Sequence, residues 1–209
     1  MSMFQKAEAE RIAAVVTEIE KRTAGEIVVA ERPRSDDYAE VRLLCALLVG
    51  LAAAGGAHLL WPSLYVGEVL AIQFGLGFLA WLLTSLAPVL RWVLPRGRAA
   101  QAVGHAAQLA FVEYGVFNTR DRTGVLIFLS ELEHRVVVLG DEGIHARVQD
   151  PGWSRLVTTL VQAIKDRRAC EGVCEVIRAL GDQLTEAAPI RVDDTNELPN
   201  HVRGPSERA

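Results

Sequence analysis

The chain has 209 residues, a formal net charge of −4, 50% hydrophobic and 23% charged residues. That charged fraction suits an ordinary soluble domain, yet the 48 residues from Leu43 to Leu90 hold one acid, Glu68, and no Lys or Arg, which leaves 47 charges for the other 161 residues. The contrast excludes a uniform soluble domain and wholesale disorder. The interspersed, mildly acidic balance offers no basic footprint, so no nucleic-acid partner is expected, and three Cys make no disulfide framework.

In chain order, Met3 to Arg22 reads as an amphipathic helix with Phe4, Ile12, Val15, Val16 and Ile19 on one face. Ser2 with Gln5 is a candidate capping box, and Gly25 is a stop signal. Gly25 to Glu31 reads as a strand bounded by Pro33. Arg34 to Arg42 is polar and reads as helical. Leu43 to Trp61 is then free of charge over 19 residues, about 28 Å of helix, close to the ~30 Å hydrocarbon core of a bilayer. Val69 to Leu90 is free of charge over 22 residues, and Pro62 to Glu68 form a short turn between the two. Trp61, Tyr65 and Trp92 fall where amphipathic rings settle at membrane interfaces. The competing reading is a pair of helices buried in a soluble core.

Forty-two residues, many of them charged, precede the first span, so it does not read as a signal peptide. Arg32, Arg34 and Arg42 precede the first span, Arg91, Arg96 and Arg98 follow the second, and the turn has no basic residue. The positive-inside rule then expects a multi-pass cell-membrane protein with both termini and the water-soluble part in the cytoplasm. The first span is rich in small residues, and Ala52 with Gly56 allow close helix approach. Packing within the hairpin and homo-oligomerisation both use such a stripe.

Beyond the spans, Arg98 to Tyr114 reads as a helix with Val103, Ala106, Ala107, Ala110 and Phe111 inward. Gly124 to Ser130 is a continuous apolar run, as in a strand buried on both faces. Glu131 to His134 make a tight connection to a strand over Arg135 to Gly140. Gly143 to Val148 is a connector, Trp153 to Asp166 and Glu171 to Ala187 are helical, and the polar tail from Pro189 reads as flexible. A lone strand before the hairpin cannot satisfy its edges, so Ile27–Ala30 is expected to join Val125–Leu129 and Val136–Leu139. The expected organisation is one α/β domain, residues 1–40 and 97–188, interrupted by a transmembrane hairpin over 41–96, with a tail over 189–209.

The run Arg122-Thr123-Gly124-Val125-Leu126-Ile127-Phe128-Leu129-Ser130 followed by Glu133-His134-Arg135-Val136-Val137-Val138-Leu139-Gly140-Asp141-Glu142-Gly143-Ile144 resembles the core of the TPM domain family (thylakoid lumen protein, Psb32 and MOLO-1 type). Gly25-Glu26-Ile27-Val28-Val29 looks like its first strand, and Asn196-Glu197-Leu198-Pro199 resembles the tail of its bacterial membrane-protein branch. The resemblance covers roughly residues 1–40 and 97–200. It implies a three-layer α/β/α sandwich, and either divalent-cation-dependent phosphatase activity or a role in assembly and maintenance of membrane complexes. Typical members export the domain behind a signal peptide, whereas here a hairpin splits it.

Carboxylates clustered at strand ends are candidate oxygen ligands for Ca²⁺ or Mg²⁺. Asp141 and Glu142 follow a strand at a glycine bend, Asp121 precedes one, and Asp150 follows the connector. The resemblance favours Asp141 and Asp150. The competing reading is solvated loop acids. His105, Glu113, His134 and His145 lack zinc-site spacing, and Cys170 with Cys174 read as a reduced pair on a helix. No nucleophile elbow or P-loop occurs. The leading expectation is a binding or assembly module at the membrane, with the lipid bilayer and a membrane protein or a second copy as partners. The alternative is the phosphatase.

Overall fold

The computed structural model describes residues 3–145, 151–190 and 196–204. Over these residues the chain is mixed α/β and mostly helical, with one three-stranded sheet. It divides into two units, Met1–Ser35 with Ala100–Ala209, and Asp36–Ala99.

In the first unit, β1 (Glu26–Arg32) pairs in parallel with β2 (Gly124–Ser130), and β2 pairs antiparallel with β3 (Arg135–Gly140). The lone strand before the apolar stretch thus completes a sheet with two strands that follow it. Every residue of β2 is buried because the central strand is covered on both faces. Alternation along the strands divides the apolar side chains into two clusters. Ile27, Val29, Val125, Ile127 and Leu129 pack with Ile12, Val16 and Ile19 of α1 (Lys6–Glu20), Leu160 of α7 (Pro151–Lys165) and Val173, Ile177 and Leu180 of α8 (Ala169–Ala187). Val28, Ala30, Leu126 and Phe128 pack with Val103, Ala106, Ala107 and Ala110 of α5 (Arg96–Glu113). The small side chains of α5 let it lie close to the sheet. Gly124 is required by the turn that follows α5, since a Cβ there would sit 2.0 Å from the Val116 carbonyl oxygen.

The second unit is a helical hairpin. Its arms are α2 (Ala39–Leu60) and α3 (Val66–Leu83), about 33 and 27 Å long at 1.5 Å per residue. The apolar run read as Val69–Leu90 is divided between α3 and the short α4 (Ala87–Val93). Thr84 donates to the Ala80 and Trp81 carbonyls and Ser85 to that of Trp81. Such back-bonding loosens a helix end, and Pro88 then sits in the first turn of α4, where its missing N–H is tolerated.

Other local readings also shift. Residues 34–38 are not helical, because Asp36 Oδ1 accepts from the backbone of Asp37 and Tyr38, and Tyr38 takes a left-handed conformation (φ 52°) that starts α2 one residue later. At the start of α1 the cap bond runs from the Gln5 N–H to the Glu8 carboxylate at 2.8 Å, and Ser2 lies outside the described residues. The segment 196–204, polar by composition, is bonded along the free edge of β1.

Candidate functional site

The pairing of Val125 with Gly140 brings the start of β2 beside the end of β3, so Asp121 and Arg122 meet Asp141 and Glu142. The Asp141 backbone N–H donates to the Gly124 carbonyl, and that of Gly143, in α6 (Glu142–His145), donates to the Arg122 carbonyl. Asp141 is 5% exposed, and Arg122 Nε lies 2.8 Å from its Oδ2. The other oxygen of Asp141 accepts from the Glu142 N–H at 2.7 Å. The best-placed acid is therefore neutralised by a guanidinium and occupied by backbone. Glu142 is exposed and Asp121 half-buried, and Asp150 lies outside the described residues. Among the described residues no group of three or more His, Cys, Asp or Glu converges as cation ligands would. Among the described residues, Asp141 closes the end of the β2–β3 ribbon through Arg122 and the Glu142 N–H.

The remaining polar candidates are dispersed. His105 is exposed, and Glu113 is ion-paired with Arg32 at 2.8 Å. Cys170 and Cys174 are buried free thiols on α8, and burial, with Cys174 beside it, pushes Cys170 up to about 11. A thiol so shifted carries no thiolate at neutral pH and is a poor nucleophile.

A more extensive feature is the apolar face of the hairpin. Among the described residues two helices, α2 and α3, are long and apolar enough to cross a membrane, and little of either is buried. A core helix of a soluble protein would be buried over most of its length. Instead Leu44, Leu47, Leu48, Leu51, Phe74 and Phe78 expose about half or more of their surface, an apolar patch of the kind that marks a protein or membrane contact. The arms meet where side chains vanish. A Cβ on Gly50 would lie 2.8 Å from the Gln73 carbonyl oxygen, and one on Gly77 would lie 3.0 Å from that of Ala46. Ala54 and Ala57 continue the contact face, whereas Ala52 is exposed and Gly56 faces open space. Of the small residues in the first span, Gly50, Ala54 and Ala57 thus lie in the intrahairpin contact, and the pair Ala52 and Gly56 lies beside it.

Polar groups gather at the base of the hairpin. Arg42 stacks on the Trp81 ring at 4.7 Å and donates to Ser85 Oγ at 2.6 Å. Arg98 bonds Asp36 at 2.5 Å and Glu40 at 2.7 Å and lies over the Tyr38 ring. Burial raises the Asp36 carboxyl, but the Arg98 hydrogen bond and two backbone N–H groups outweigh it and hold it below its ordinary value. These contacts tie the entry of the hairpin to its exit.

Sequence reasoning missed a second acidic cluster. Glu26, the first residue of β1, is 6% exposed, and Glu20 reaches it from the last turn of α1. Glu26 Oε1 accepts from the Glu197 N–H at 3.0 Å, and Glu20 Oε1 accepts from the Ile27 N–H at 3.1 Å. The remaining oxygen of each is buried without another donor. Burial, followed by the neighbouring Glu26, raises Glu20 to about 8. The one available signal was a charge opening an otherwise apolar strand.

No family model matches the chain, and no curated protein does. Among solved structures, the fold is similar to the NMR structure of the BA42 protein from the psychrophilic bacterium Bizionia argentinensis. That similarity has a TM-score of 0.62 and 19% sequence identity, over 97% of this chain and 96% of that one. At this identity the likeness is one of fold.

Proposed function

We propose that the chain is an integral membrane protein that uses its α/β unit as a binding or assembly module at the membrane. The observation that carries this reading is the exposed apolar surface of α2 and α3. Lipid is the solvent in which that surface is stable, and helices satisfy their own backbone there. The Arg residues flanking the hairpin favour a multi-pass arrangement with both termini and the α/β unit in the cytoplasm. The α/β unit is read as a TPM-like three-layer α/β/α sandwich, and helices packed on both faces of the sheet support this. The partner is a membrane protein, or a second copy packed on the face of α2 that carries Ala52, Gly55 and Gly56.

Topology is testable with introduced thiols in a chain whose half-buried Cys45 is replaced by Ser, because the native Cys170 and Cys174 are buried. Ser63→Cys in the connecting turn should react with a membrane-impermeant maleimide in intact cells. Lys165→Cys in the α/β unit should react only after lysis. The reverse pattern overturns the orientation, and extraction of the chain by alkaline carbonate overturns insertion.

A further inference from the structure

Strand β1 is an edge strand, and exposed edges need management. Its residues at 27, 29 and 31 direct their backbone groups away from β2, and one group of each is occupied. The Ile27 N–H donates to Glu20. The Val29 carbonyl accepts from the Arg203 N–H at 2.8 Å, and the Glu31 N–H donates to the Arg203 carbonyl at 3.0 Å. Arg203 belongs to the segment 196–204, which is held at further points. The Glu197 N–H meets Glu26, Glu197 Oε2 accepts from the Arg120 N–H at 2.9 Å, Asn200 donates to Thr17 Oγ1 at 2.8 Å, and Leu198 packs on the α5 side of the sheet.

At the root of this strap the two carboxyls of Glu20 and Glu26 face each other, each with one buried oxygen that has no other donor. Two carboxylates so placed repel, while a single proton supplies the donor that both oxygens lack. We propose that residues 196–204 form a proton-dependent latch over the open edge of the sheet, closed by one proton shared between Glu20 and Glu26 and released when that proton leaves.

The groups that act on the pair come from three directions. From the strap come the Glu197 carboxylate, its N–H and that of Leu198, and the Asn200 amide; from β1 comes the Ile27 N–H; and α1 and β1 contribute the two carboxyls themselves. On flanking segments, Arg22, just after α1, is engaged with Asp182 of α8 at 3.7 Å, and Arg122 is committed to Asp141. Loss of the proton therefore sets three carboxylates, Glu20, Glu26 and Glu197, against one another beneath the strap.

The sign follows from linkage. Glu20 rises from an ordinary 4.5 to about 8 in the closed state. A group raised in the closed state stabilises it fully below the ordinary value. The contribution declines as pH rises toward the raised value and is gone above it. Closure should therefore weaken by up to about tenfold per pH unit between pH ~5 and ~8.

The test is amide hydrogen exchange on the full chain in detergent micelles from pH 5.5 to 9, corrected for intrinsic rates. Protection of Glu31 and Arg203 should fall with pH, while Leu126 in the sheet centre stays protected. Glu20→Gln keeps a donor toward Glu26 without a titrating proton, so it should hold Glu31 and Arg203 protected across the range; Glu26→Gln should likewise flatten the profile. Protection that does not change with pH in the native chain overturns the latch. So does a pH profile that survives Glu20→Gln and Glu26→Gln, or restoration of protection at pH 9 by added CaCl₂, which would put a cation where the proton is placed.

Discussion

Asp141, a metal-ligand candidate by its position in the sequence, is held by Arg122 and by backbone. A buried carboxylate needs a counter-charge, and here the guanidinium supplies it from a residue in a left-handed backbone conformation (φ 57°). Arg122→Ala leaves Asp141 5% exposed and without that partner. The side chain of Arg122 is 51% exposed, so solvent screens part of the interaction. The expected loss is about 1–3 kcal/mol of stability, read as a lower urea midpoint at unchanged slope. Asp141→Asn should be tolerated better, because the Glu142 N–H still finds an acceptor. If Asp141 serves only to close the β2–β3 ribbon, Asp141→Asn should leave any Ca²⁺- or Mg²⁺-dependent phosphomonoester hydrolysis unchanged. A rate lost without loss of stability would return Asp141 to the chemistry.

At the scale of elements, the hairpin depends on two glycines that let backbones touch. Gly50→Leu drives a side chain into the Gln73 carbonyl, which is backbone and cannot swing aside. A shift costing about 1–3 kcal/mol is expected, seen as an earlier midpoint when the protein in mild detergent is titrated with SDS. Gly56→Leu, on an open face, should leave that midpoint unchanged. The sheet and most of the helices were legible from periodicity and runs: the continuous apolar stretch of β2, the turn Glu131–His134 and the inward alanines of α5 all lie where their pattern places them. What was not legible depends on partners distant in sequence. Gly50 could be told from Gly56 only once α3 was in place. The strap has no apolar period because backbone bonds to β1 hold it and packing contributes only Leu198 and Val202, one on each side of the sheet. Asp141 carried the motif of a ligand, and nothing local showed that Arg122 would neutralise it.

For the whole molecule, the division into two units is a claim about autonomy. Each of the two sheet-face clusters draws only on residues before Ser35 or after Ala100. A chain in which residues 36–99 are replaced by a flexible Gly/Ser linker should fold as a soluble domain with cooperative urea unfolding. Circular dichroism and size-exclusion chromatography measure this, and aggregation or a non-cooperative transition would show that the α/β unit needs the hairpin.

The parallel pairing of β1 with β2 also fixes an order of events during synthesis. Glu26 and Gly124 are neighbours in the sheet but almost a hundred residues apart in the chain. At roughly 5–20 residues per second, β1 leaves the ribosome several seconds before its partner exists. On the membrane reading, the hairpin is delivered to lipid within that interval, while β1 waits without a partner strand. Domain folding then reports successful insertion. A chain whose hairpin stalls keeps its first strand exposed as an aggregation-prone edge.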